Sequence, residues 1–72
     1  MPYASREALP PAIRRRLPAH GQDIYREAFN HAWVTYAARA DREQVCHRVA
    51  WAAVKRLYRP TDTIWVPKAD RP

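Results

Sequence analysis

The side chains with reactive chemistry here are His20, His31 and His47, the lone Cys46, and the carboxylates Asp23, Glu27, Asp41 and Glu43. A metal needs three or four convergent ligands, but these histidines are scattered, and adjacent Cys46 and His47 point about 100° apart on a helix. No metal site and no cofactor is expected. Cys46 sits on an apolar stripe with Val49, Ala50, Ala53 and Leu57 and has no activating base in sight, which reads as a packed thiol. The carboxylates fall on polar helix faces among arginines, where nothing shifts their pKa towards acid–base work. Gly21 is the only glycine, so a glycine-rich phosphate loop is excluded. No catalytic residue is assigned, and the chain reads as a non-enzyme.

One constellation remains. In CHRVAWAAVKRLY, residues 46 to 58, His47, Trp51, Lys55 and Tyr58 step by four, four and three, forming one helical stripe bordered by Arg48 and Arg59. Cation and aromatic alternate along it. Such a surface suits an acidic protein face anchored by Trp51, or a nucleic acid whose phosphates meet the cations while bases stack. The plain alternative is that Trp51 packs on the first helix or on a ribbon formed by the termini, while Arg48 and Lys55 lay their stems over it.

These residues need elements to position them. Pro10-Pro11 open a short helix in which Leu9, Ile13 and Leu17 fall four apart, opposite the basic triplet Arg14, Arg15 and Arg16, and Pro18 ends it. A longer helix begins near His20, with Ile24, Tyr25, Ala28, Phe29, Ala32, Trp33 and Tyr36 at helical steps. Its polar side carries Asp23, Arg26, Glu27 and His31. Asp41 with Gln44 three residues on resembles a capping box, predicting a third helix to about Tyr58 with Pro60 as the stop.

The break between these helices is expected to be very short, near Arg39 and Ala40. The Asp41 cap favours an antiparallel hairpin, whereas Ala37-Ala38-Arg39-Ala40 are helix formers and leave open one continuous helix that dimerises. Thr61-Asp62-Thr63 reads as a turn and Ile64-Trp65-Val66 as a strand. Its expected partner is Met1-Pro2-Tyr3. The predicted fold is mainly α, a short N-terminal helix plus an antiparallel two-helix hairpin, with a two-stranded ribbon joining the termini in one domain over residues 1–72.

Seventy-two residues with 47% apolar types, three tryptophans and four tyrosines make a small folding unit rather than a disordered chain. Eleven arginines and two lysines against seven acids give a net charge of +6, favouring nucleic acid, anionic headgroups or an acidic protein as partner. With one cysteine no internal disulfide forms. No apolar run approaches the roughly 20 residues of a membrane helix, and no signal-peptide pattern opens the chain. A cytoplasmic monomer is expected.

Four patches together resemble the ChaB family of cation transport regulators: MPY, then LPPAIRRRLPAHGQDIYREAFNHAW, then CHRVAWAAVKRLY, and finally Trp65. They occur in the family's order and cover most of the chain. The resemblance implies a small, mainly helical fold with a minor sheet, and a regulatory role on a cation/proton antiporter at its cytoplasmic face. It also marks two departures. The family's bacterial form carries a longer, acid-rich segment where this chain has Ala37 to Arg42, and it fills with a serine cap the position of Ala19.

Two functions follow for testing. The first is a regulatory adaptor that docks a protein partner through His47, Arg48, Trp51, Lys55 and Tyr58 of the third helix. The second is a basic nucleic-acid-binding module using that stripe with Arg14, Arg15, Arg16 and Arg59, binding phosphate with little sequence preference.

Overall fold

The computed structural model describes residues 2–68. A 3-10 turn, Arg6–Ala8, leads into helix α1, Pro11–Arg16, then α2, Ala19–Thr35, α3, Arg42–Val54, and strands β1, Tyr58–Pro60, and β2, Trp65–Pro67. The mainly helical reading with a small two-stranded antiparallel sheet matches this architecture. No helix among the described residues is long and apolar enough to cross a membrane.

The four-residue spacing of Leu9, Ile13 and Leu17 works as predicted, since all three are buried while Arg14, Arg15 and Arg16 face water. At the end of α1 the Gln22 side-chain amide donates to the carbonyls of Leu17, at 2.8 Å, and Arg14, at 3.3 Å. Helix α2 starts at Ala19 itself, so Pro18 occupies the cap position, and no side chain caps it. The missing serine is thus a missing first-turn group rather than a missing cap.

Tyr25, Phe29 and Ala32 of α2 pack against Cys46, Ala50 and Val54 of α3 in the central core. Trp33 lies against Arg42 at one end, and Tyr25 lies against Trp51 further along, so the two helices run back along each other as a hairpin. A continuous helix is ruled out by the non-helical backbone of residues 36–41. The break is longer than a step at Arg39 and Ala40, because α2 already ends at Thr35. The Arg42 guanidinium draws the start of α3 onto the Trp33 carbonyl, with N···O distances of 2.6 and 2.8 Å, overriding the helix preference of Ala37 and Ala38. Asp41 stands at the cap position without capping. Its carboxylate accepts from Arg39 at 2.8 and 3.2 Å instead, so the expected capping box is not formed.

Helix α3 stops at Val54, short of Tyr58. The backbone of Leu57 then turns into the sheet, its N–H donating to Val54 at 3.0 Å and its carbonyl accepting from Lys68 at 3.0 Å. Leu57, expected on the core stripe, is 53% exposed, and Val54 takes the buried place.

The ribbon also pairs differently from expectation. Strand β2 meets β1, with Tyr58 opposite Pro67, Arg59 opposite Val66 and Pro60 opposite Trp65. Asp62 and Thr63 form the tip, closed by the Thr61 N–H donating to Ile64 at 2.8 Å. A neighbour reached through the four residues 61–64 costs far less chain entropy than the N-terminus, and Pro60 is tolerated on an edge strand. Met1 lies outside the described residues. Tyr3 finds a different partner, with its N–H donating to the Asn30 side chain and its carbonyl accepting from it, both at 2.8 Å.

Candidate functional site: a basic cleft beside Trp51

Residues of α1, the end of α3 and β2 together line an open cleft of about 610 Å³. Ala12 and Ile13 line it from α1, Trp51 from α3, and Trp65 from β2. Arg16 from α1 and Arg48 and Lys55 from α3 complete the lining. Among the described residues no carboxylate lines it, and none of these three cations is in an ion pair.

The apolar lining is firmly held. Trp51 stacks on Trp65 with ring centroids 5.0 Å apart and meets Tyr25 edge-on, also at 5.0 Å. Trp65 is 8% exposed and Trp51 half-buried. Trp51 therefore has both the roles weighed for it, as a wedge joining α2, α3 and β2 and as part of the cleft. Ile13 reaches the cleft because the same turn of α1 that buries it puts Arg16, three residues on, at the rim.

The predicted stripe does not survive as one surface. Arg48, Trp51 and Lys55 stay together, with Lys55 at the C-cap of α3. Tyr58 leaves the helix for β1, is 5% exposed, and meets His20 through its hydroxyl at 3.3 Å. His47 turns towards α2. Its ring packs 4.8 Å from Phe29, and its Nδ1 is hydrogen-bonded to the Tyr25 hydroxyl.

Burial is the main cause holding the His47 pKa below its ordinary value, with Glu43, 3.8 Å away, pulling the other way. Burial likewise raises the Tyr25 pKa well above normal. The Tyr25 hydroxyl and His47 Nδ1 share one hydrogen bond, while His47 Nε2 faces Glu43. The pair is a packing bond. Cys46 is fully buried, with its thiol pKa raised chiefly by burial, as a packed thiol requires.

The basic patch divides. Arg16 joins the cleft, Arg14 and Arg15 line a separate shallow depression with Gln22, and Arg59 is exposed on β1 opposite Val66. Packing of Trp51 on the first helix or the ribbon is among the expectations, but the sequence does not single out Ala12, Ile13 and Trp65 as the residues beside it. The i,i+3 relation of Ile13 to Arg16 was a usable signal for the α1 side, whereas the approach of Trp65 depends on the hairpin.

The sequence and the fold as wholes have counterparts. The ChaB family model matches residues 9–68. The chain belongs to the ChaB family. It is 47% identical over 68 residues to the protein named "Putative cation transport regulator ChaB" of Escherichia coli (strain K12), covering 86% of this chain and 90% of that relative. The protein of the same name from Shigella flexneri matches with the same identity and coverage. A solution NMR structure of a ChaB protein of that name superposes with a TM-score of 0.82 at 45% identity, covering 94% of this chain and all of the other. The ChaB fold, helical with a small sheet, is therefore the fold of this chain.

Proposed function

We propose that this chain is a non-enzymatic regulator of cation transport that acts by docking a protein partner on the cleft beside Trp51. The role in cation transport comes from the name of its relatives. The docking surface comes from one observation: Arg16 on α1, Arg48 on α3 and Lys55 at its C-cap surround an apolar lining in a cleft with no carboxylate among the described residues. A surface of this kind combines an anchor with charge selection and asks for no catalytic group. The reading without catalysis is supported by how the reactive side chains are used, with Cys46 buried in the core and His47 bonded to Tyr25.

The test is cation flux in everted membrane vesicles carrying a cation/proton antiporter, with purified protein added to the exposed cytoplasmic face. Wild type changes the flux, and the Arg48→Glu/Lys55→Glu variant, checked for native circular dichroism, does not. Wild-type protein that leaves flux unchanged for the antiporters tried overturns the reading.

A further inference from the structure

The chemistry of the cleft narrows what it accepts. Its lining is aliphatic as well as aromatic, with Ile13 and Ala12 beside Trp51 and Trp65. The two indoles are already stacked on each other, and Trp65 is 8% exposed. A nucleic acid needs open ring faces on which successive bases stack, and here each indole gives one face to the other. An aliphatic side chain needs only a concave apolar surface. The cleft volume, about 610 Å³, holds such a side chain together with its flanking backbone.

The charges supply the rest. Arg48 and Lys55 are seven residues apart on α3, which places their backbones about 10 Å apart along the helix. An extended chain rises about 3.3 Å per residue, and every second side chain faces the same way. Acidic residues two positions before and after an apolar one would therefore face the cleft with it, about 13 Å apart, a span the long Arg48 and Lys55 side chains cover. Arg16 stands on the α1 side of the same cleft.

We infer that the cleft takes an extended acidic segment of a protein, of the pattern acidic–x–aliphatic–x–acidic. The aliphatic side chain seats against Ile13 and the Trp51–Trp65 pair, and the carboxylates meet Arg16, Arg48 and Lys55. This deepens the adaptor reading and rests on it for the identity of the partner as a protein.

The test is fluorescence anisotropy of labelled peptides with the core Glu-Thr-Leu-Thr-Glu, against the full chain at low and near-physiological salt. A second peptide replaces Leu with Ser at equal charge. The Leu peptide binds about tenfold more tightly than the Ser peptide. Arg16→Glu, Arg48→Glu and Lys55→Glu each weaken it about fivefold, and Arg14→Glu, which makes the same charge reversal outside the cleft, weakens it less than about twofold.

Equal binding of the two peptides overturns the inference, as does an Arg14→Glu loss as large as that of the cleft variants. A single-stranded oligonucleotide or an anionic phosphatidylglycerol vesicle that binds more tightly than the Leu peptide, and loses binding in the cleft variants, also overturns it. The same variants in the flux assay separate the two claims. Flux regulation lost in the cleft variants, without Leu-selective peptide binding, sinks the acidic segment and keeps the adaptor. Leu-selective binding with no wild-type effect on flux keeps the cleft chemistry and sinks the adaptor role in transport.

Discussion

The guanidinium of Arg42 lies 3.7 Å from the centroid of the Trp33 ring and donates twice to the Trp33 backbone carbonyl. One side chain at the start of α3 thus satisfies a carbonyl in the last turn of α2 and covers the adjacent ring, holding the hairpin at its open-ended turn. Removing it in Arg42→Ala is expected to cost about 2 kcal/mol, from a charge-assisted hydrogen bond and a cation–π contact. Arg42→Lys keeps the charge but not the planar fork, and recovers less than half of the loss. Urea denaturation of the three proteins checks this, and a lysine variant as stable as wild type would show that charge alone matters.

Asn30 holds the N-terminal segment as a strand would, by giving one hydrogen bond to the Tyr3 backbone and taking one from it. The Tyr3 ring then rests 4.7 Å from Phe29. Asn30→Ala should destabilise by about 1–2 kcal/mol, and amide exchange should rise in the segment before α1 more than in α2 or α3. Asn30→Asp keeps the acceptor, loses the donor and falls between the two. Exchange that rises uniformly would contradict a local clamp.

These two contacts also mark the boundary of what the sequence made legible. The burial of Leu9, Ile13, Leu17, Tyr25 and Phe29 could be read from spacing, because helical period alone decides which side of a short helix meets the core. The sheet was readable as a feature but not in its pairing, since Tyr58-Arg59-Pro60 looks like the end of a helix until the turn at Asp62 and Thr63 offers it a neighbour. Asp41 shows the same limit. A capping box is a local pattern, and a side chain two residues away, Arg39, took the carboxylate first.

At the candidate site, Arg48, Trp51 and Lys55 were visible as neighbours because they share one helix. Tyr58 would join them only on a helix that ran straight to it, whereas His47 shares α3 with them but faces Tyr25 and Phe29. Where an aromatic or a histidine ends up depends on partners far away in the chain, here Tyr25 for His47 and His20 for Tyr58.

The burial of His47 makes stability depend on pH. The folded pKa of His47 is depressed by burial, so below the ordinary histidine value of about 6.5 the unfolded chain takes up a proton that the folded chain resists. Stability contributed by neutral His47 is therefore present above that value and falls as pH drops through it towards the lower folded pKa. Urea midpoints measured from about pH 7.5 to 5 should decline in wild type and decline less in His47→Gln. Glu43, which faces His47, opposes the effect, so Glu43→Gln should steepen the decline. Identical slopes in wild type and His47→Gln would place the pH sensitivity elsewhere.

Trp51 joins three elements, through Tyr25 on α2, its own helix α3 and Trp65 on β2, and it is also part of the cleft. Truncating it removes both roles at once. Because the ring is half-buried, Trp51→Ala should cost about 3 kcal/mol, the lower end for a buried aromatic, and in so small a chain that leaves a large fraction unfolded. Lost docking in that variant would therefore say nothing about the surface. Trp51→Phe keeps an aromatic contact with Tyr25 and Trp65 at about 1 kcal/mol, so its folded population stays high enough for binding and flux to be read. If Trp51→Phe is nearly as stable as wild type yet docks poorly, the indole itself contacts the partner. Normal docking in Trp51→Phe would assign the ring to the fold and leave recognition to Ile13 and the surrounding cations.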